Sequence, residues 1–164
     1  MEIQDNVLIA LRQIIRAIDL HSKKLERVSG LTGPQLLVMQ VIAQHASLSA
    51  GTVAREVSLS QATVTSILDR LERKGYLQRV RSQEDRRRVE LTLTVEGARV
   101  LAAAPTLMQE SFISRFSELS EWEQNLILSS LQRVAAMMNA SELDAAPLLD
   151  SSDAEVIGHN QESA

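Results

Sequence analysis

The chain has 164 residues, enough for about one domain with a real buried core. It contains no cysteine, which excludes disulfides, thiolate zinc sites, a cysteine nucleophile and thiol redox sensing together, and its only aromatic residues are Trp122, Tyr76, Phe112 and Phe116, so the core must be aliphatic and the stacking platforms of single-strand and RNA binders are missing. The formal net charge of −4 argues against generic attraction to nucleic acid, yet residues 70–88 hold eight basic residues against three acidic ones, while residues 89–164 hold three against twelve.

The positive charge is therefore local. The start at Met1 lacks a basic-then-apolar leader, and no apolar run approaches the ~20 residues that span a bilayer, so a soluble cytoplasmic protein is expected.

Residues 6–28 read as a long helix with apolar positions Val7, Leu8, Leu11, Ile14, Ile15, Ile18 and Leu25 at helical spacing. With His21 filling the gap, positions 7, 11, 14, 18, 21 and 25 form a heptad-like seam. A helix so apolar on one face needs a partner, either its own domain or, as the favoured expectation, a second copy of the chain. Gly30 closes this helix, and Gly33-Pro34 opens the next, proline being harmless in a first turn. That second helix is apolar nearly all round (Leu36, Leu37, Met39, Val41, Ile42), so it should lie buried. A short helix at residues 50–57 shows Val53, Ala54 and Val57 to the core; Ser58-Leu59 is a turn, and Ser60 is an N-cap.

Residues 60–74 form a fourth helix that buries Val64, Ile67, Leu68 and Leu71 and stops at Gly75. Its opposite pole carries Ala62, Ser66, Asp69 and Arg73, with Thr65 and Arg70 on the flanks. Such small polar first turns suit a helix that presses against base edges. Gln61 can offer a bidentate amide to adenine, Thr63, Thr65 and Ser66 can donate to bases or phosphates, and the Ala62 and threonine methyls can meet thymine methyls. Residues 76–81 and 89–94 then alternate polar and apolar as two strands, joined by a loop at 82–88 with three consecutive arginines, Arg86, Arg87 and Arg88. Arginine suits phosphate oxygens and a narrow minor groove because its planar fork is always charged. Asp85 reads as a brace that pairs one of these arginines. A helix followed by a basic hairpin is the layout of a winged helix-turn-helix.

A long helix is expected over residues 95–117, kinked at Pro105, with Gly97 near its start. Ser120-Glu121-Trp122-Glu123 is a capping box that starts a last helix with the stripe Ile127, Leu131, Val134 and Met138. The fold class is thus mainly α with a small β-hairpin wing. Residues 29–97 form the winged helix-turn-helix, residues 1–28 and 98–139 a helical dimerisation lobe, and residues 140–164 an acidic tail expected to be mostly disordered. A tail without lysine or arginine is expected to be merely solvated; a minority reading has it compete with DNA for the arginine loop.

The residues 60–65 (Ser-Gln-Ala-Thr-Val-Thr), 68–77 (Leu-Asp-Arg-Leu-Glu-Arg-Lys-Gly-Tyr-Leu), 85–88 (Asp-Arg-Arg-Arg) and 93–97 (Leu-Thr-Val-Glu-Gly) resemble the MarR family of bacterial transcription regulators, and the resemblance runs over about residues 6–138. It implies a homodimer in which the first, fifth and sixth helices interlock and two winged domains sit on consecutive major grooves of a pseudo-palindromic operator. It also implies that Asp85 braces the wing through an arginine and that Arg87 is the wing-tip residue. Residues 21–24, 34–37 and 58–61 most resemble regulators of compatible-solute genes under osmotic stress. Family members often take small phenolic or carboxylate ligands, for which Arg16, His21 and Gln40 are the polar candidates here, each with an ordinary structural role as the alternative.

Phosphate contacts are expected from Arg70, Arg73, Arg79, Arg86 and Arg88, and sequence preference from Gln61, Thr63, Thr65 and Ser66. His21, His45 and His159 lack metal-ligand spacing, so neither a metal nor a cofactor is expected. A homodimeric repressor is the leading function. A ligand-responsive repressor of efflux or aromatic-catabolism genes and a winged-helix protein–protein module are the rivals, and an enzyme has no supporting signature.

Overall fold

The computed structural model describes residues 2–45, 48–82, 89–141, 143 and 148–151. Among these, the order is α1 (Ile3–Ser29), α2 (Gly33–Gln44), α3 (Ala50–Val57), α4 (Gln61–Arg73), β1 (Leu77–Arg81), β2 (Val89–Leu93), α5 (Val95–Ala103), α6 (Met108–Ser117) and α7 (Glu121–Met137). The chain divides into two compact units, Met1–Pro105 with Pro147–Ala164, and Thr106–Ala146. The mainly helical architecture with one hairpin is the one the sequence predicts.

In the first unit the core forms around α2. Thr32 caps its N-terminus together with Gln35, and Pro34 occupies the first turn, where a missing N–H costs nothing. Leu36, Val38, Met39 and Ile42 are buried, Val53, Ala54 and Val57 of α3 and Val64, Ile67, Leu68 and Leu71 of α4 join them, and Leu77 and Leu91 come from the hairpin. Each large aliphatic side chain removed from water contributes on the order of 1.5–3 kcal/mol, which makes this aliphatic cluster the main stabilising element. The hairpin is antiparallel and pairs Leu77 with Leu93 and Arg81 with Val89 at its two ends. Its β2 strand is held to the segment before α3 by the Leu91 N–H, which donates to the Leu48 carbonyl at 3.1 Å.

Helix α1 ends where expected: Gly30 takes a left-handed conformation (φ 68°) and its N–H returns to the Glu26 carbonyl at 2.7 Å. Leu25 is its only buried residue, whereas Val7, Leu8, Ile14 and Ile15 are 41%, 51%, 49% and 64% exposed. The apolar stripe of α1 is thus used within this unit only at its C-terminal end.

One expectation needs correction. Pro105 does not kink one long helix; it separates two. Ala104, pushed out of helical space by the following proline ring, is extended at φ −71° and ψ 143°, so α5 ends at Ala103 and α6 starts afresh at Met108. Within the tail, residues 148–151 are among those described. Leu148 is buried, the Ser151 N–H donates to Ser22 Oγ at 3.0 Å, and Asp150 accepts from Gly33. The other expectations for residues 142, 144–147 and 152–164 lie outside the described residues.

In the second unit, Phe112 and Phe116 stack one turn apart on α6 with ring centroids 5.4 Å apart. The Ser120–Glu123 capping box forms as predicted, the carboxylate accepting the Ser120 N–H at 2.9 Å. No residue of α7 is buried, and Leu131 and Met138 of its predicted stripe are exposed.

Candidate nucleic-acid interface

Helix α4 is positioned by its N-cap, Ser60. Ser58 turns the chain in the left-handed region, Ser60 stays extended, and Ser60 Oγ accepts the Thr63 N–H at 3.1 Å while lying 2.7 Å from Thr63 Oγ1. This cap presents Gln61, Ala62, Thr65 and Ser66 to solvent on the first two turns, with Thr63 half-buried. The structure therefore places Gln61, Thr65 and Ser66, but not Thr63, on one accessible face. The Thr65 hydroxyl donates to the Gln61 carbonyl at 2.8 Å, leaving its methyl and a lone pair for a partner. Thr63 is occupied by the cap. Gln61 and Ser66 are then the residues best suited to donate to bases.

Arg70 and Arg73 follow on exposed later turns, Arg73 steadied by Nε–H donation to the Asp69 carbonyl at 3.2 Å. Arg79, for which a phosphate contact is expected, is engaged with α4. From the middle of β1 its guanidinium reaches back to α4, with Nη2 2.6 Å from Asp69 Oδ1 and Nη1 2.9 Å from Glu72 Oε2. Asp85, Arg86, Arg87 and Arg88 lie outside the described residues, and Ser82 is buried where the chain leaves β1 toward them.

Three supporting residues are not evident from sequence reasoning. Lys74 Nζ donates to the Gly30 carbonyl at 2.6 Å and so ties the end of α4 to the end of α1. Thr94 Oγ1 accepts the Gly97 N–H at 3.0 Å as the N-cap of α5 and donates to the Gly75 carbonyl at 2.6 Å. Gly97 lies in the first turn of α5, where a Cβ would overlap the Tyr76 carbonyl, so glycine lets α5 close against the helix-to-hairpin turn. The Thr94-x-x-Gly97 spacing carried that signal as a cap followed by a residue without a side chain.

Arg16 is exposed, sits 3.4 Å from Asp19, and lines two shallow grooves along α1 whose linings include neither His21 nor Gln40. His21 is half-buried, with Nε2 enclosed and lacking a hydrogen-bond partner among the described residues; Gln40 is half-buried on α2.

The sequence pattern of the MarR family matches residues 31–89, from the turn before α2 to the start of β2. The transcriptional regulator HosA of Escherichia coli O111:H- is 32% identical over 135 residues, covering 80% of this chain and 96% of HosA. The chain belongs to the MarR family. It is accordingly a transcriptional regulator built on a winged helix rather than an enzyme. Among solved MarR-type structures, the PcaV transcriptional regulator of Streptomyces coelicolor, in complex with its natural ligand, superposes with a TM-score of 0.54 at 29% identity, over 77% of this chain and 89% of PcaV. The MepR–DNA complex of S. aureus shares the fold with a TM-score of 0.56 at 23% identity, over 79% and 94% of the two chains.

Proposed function

We propose that this MarR regulator acts in the cytoplasm as a homodimeric repressor whose two winged domains occupy consecutive major grooves of a pseudo-palindromic promoter operator. The observation that carries this reading is the first two turns of α4, capped by Ser60, uncharged, exposed and followed directly by a basic hairpin. Gln61 and Ser66 read base edges, with the Ala62 and Thr65 methyls beside them, and Arg70 and Arg73 hold phosphates with Arg86, Arg87 and Arg88 of the wing. Dimerisation through residues 1–28 and 98–139 supplies the second reading head, and the exposed apolar stripe of α1 supports it. The likeness of residues 21–24, 34–37 and 58–61 to regulators of compatible-solute genes supports osmotic-stress promoters as the targets. Genome-wide footprinting with purified protein tests this reading: clustered palindromic sites at such promoters are expected, and binding without sequence preference would overturn it. Within such a site, Gln61→Ala should cost ~1–3 kcal/mol against the cognate base and little on other sequences.

A second reading, response to a small carboxylate or phenolic ligand, is favoured by the likeness to a PcaV structure that holds its natural ligand, and by the enclosed His21 Nε2. Calorimetry with a panel of aromatic acids tests it, His21→Ala abolishing any heat observed.

A further inference from the structure

The Arg79 fork spans two carboxylates of the very helix that reads DNA. Arg79 is paired with Leu91 in the centre of the hairpin, and its two terminal nitrogens reach Asp69 Oδ1 at 2.6 Å and Glu72 Oε2 at 2.9 Å. Asp69 and Glu72 are three residues apart, one helical turn, which is the spacing a planar guanidinium can bridge with parallel donors. Its side chain is 32% exposed, against 45% and 41% for the two carboxylates, so the cation is the most enclosed of the three.

Two consequences follow from that placement. The first is mechanical. The root of the hairpin is fixed by backbone bonds, Gly75 N–H to the Glu72 carbonyl at 2.9 Å and Tyr76 N–H to the Leu71 carbonyl at 3.0 Å. These ties lie next to Gly75, whose left-handed conformation (φ 75°) makes the turn, while farther out the Leu91 N–H bond to the Leu48 carbonyl holds β2 to the segment before α3 rather than to α4. Arg79 adds a tie three residues farther out, roughly 10 Å along an extended strand, where a small force holds the angle. The second is electrostatic. Asp69 lies one turn after Ser66 on the pole that carries Ala62 and Ser66, so a bare carboxylate there would face the phosphates. A cation engaged with both acids offsets that repulsion.

Resting on the reading of α4 as the DNA-reading helix, we propose that Arg79 is a positioning residue rather than a phosphate contact: it sets the angle between the reading helix and the wing and masks Asp69 and Glu72 from the DNA backbone. Exposed ion pairs add little to global stability, so the effect of this bridge appears in recognition rather than in melting.

The test is a thermodynamic cycle on the full chain with Arg79→Gln, the isosteric pair Asp69→Asn with Glu72→Gln, and all three together. Binding is measured against a duplex selected from a random pool by the wild-type chain and against a scrambled duplex of equal length. Arg79→Gln is expected to weaken the selected duplex about tenfold, the scale of coupling between contacting groups, and to cost almost nothing once the two acids are neutral. The neutral pair alone should lower the ratio of selected to scrambled affinity, since it loses the angle while shedding negative charge. Arg79→Lys, which can reach one acid but not both, should restore only part of the loss. Equal cost of Arg79→Gln in both backgrounds, with the salt slope reduced by ~0.9, would mark a phosphate contact and overturn the proposal. A wild-type chain that enriches no sequence would instead overturn the DNA-reading conclusion, and the proposal with it.

Discussion

The Asp150 carboxylate accepts the Gly33 N–H at 2.5 Å, so a residue 117 positions downstream closes the N-terminus of α2. An anion there satisfies an orphan donor and meets the positive end of the helix dipole. Glycine makes the approach possible, because a Cβ at position 33 would overlap the carboxylate. Asp150→Ala is expected to cost roughly 0.5–2 kcal/mol in chemical denaturation, the range for loss of a capping side chain. Gly33→Ala should displace residues 148–151 and expose them to limited proteolysis, and Asp150→Ala should add nothing in that background. Additive costs would show that the two residues do not act on each other.

Ser60 links stability to recognition because its hydroxyl caps the turn that carries Gln61 and Ala62. Ser60→Ala should lose about 1 kcal/mol of stability and weaken binding to a selected duplex. Ser60→Asp separates the two effects: aspartate caps as well as serine, so melting should recover, while its charge beside phosphates keeps binding weak. Recovery of both properties would place Ser60 away from the DNA backbone.

The join between hairpin and α5 depends on contact distance rather than on chain flexibility. Gly97→Ala pushes a methyl into the Tyr76 carbonyl, a backbone atom also held by the Thr94 N–H at 3.0 Å, so neither side can yield cheaply. A loss of ~1–3 kcal/mol is expected by thermal unfolding, the range for overpacking. Thr94→Val, which keeps the shape but removes both hydroxyl bonds, should cost a similar amount. A Gly97→Ala variant with unchanged melting would show that α5 does not sit against Tyr76.

Legibility followed the range of the interactions. Caps and apolar periodicity are local, so Gly30, Ser60, the buried set of α4 and the Ser120–Glu123 box could be read from neighbouring residues. Pro105 announces an interruption, but a bend and an end share that one signal, and only the fold shows Ala104 extended and α6 starting afresh at Met108. Long-range polar ties left no trace: nothing near Lys74 announces Gly30, and nothing in an acidic tail announces Gly33. Arg79 shows the same limit inside the candidate site. Its charge suggested a phosphate, and only the fold reveals two nearer acids.

Acid should loosen the start of α7. The Ser120 hydroxyl, and after it the Ser120 N–H, donate to Glu123 and hold its carboxyl below the usual glutamate range. A carboxylate whose folded value is depressed contributes stability that is present above its unfolded value and is lost as pH falls through the folded one. The window therefore lies at the lower edge of carboxylate titration, and α7 keeps its cap at neutral pH. Following the Glu123 side chain and the Ser120 amide by NMR should show both moving in one step below the ordinary glutamate midpoint. Glu123→Gln, which retains a capping-box acceptor but cannot ionise, should abolish the step at Ser120 while leaving the helix formed at neutral pH. A Glu123 midpoint at or above the ordinary glutamate value would mean that the bonds to Ser120 do not persist in solution.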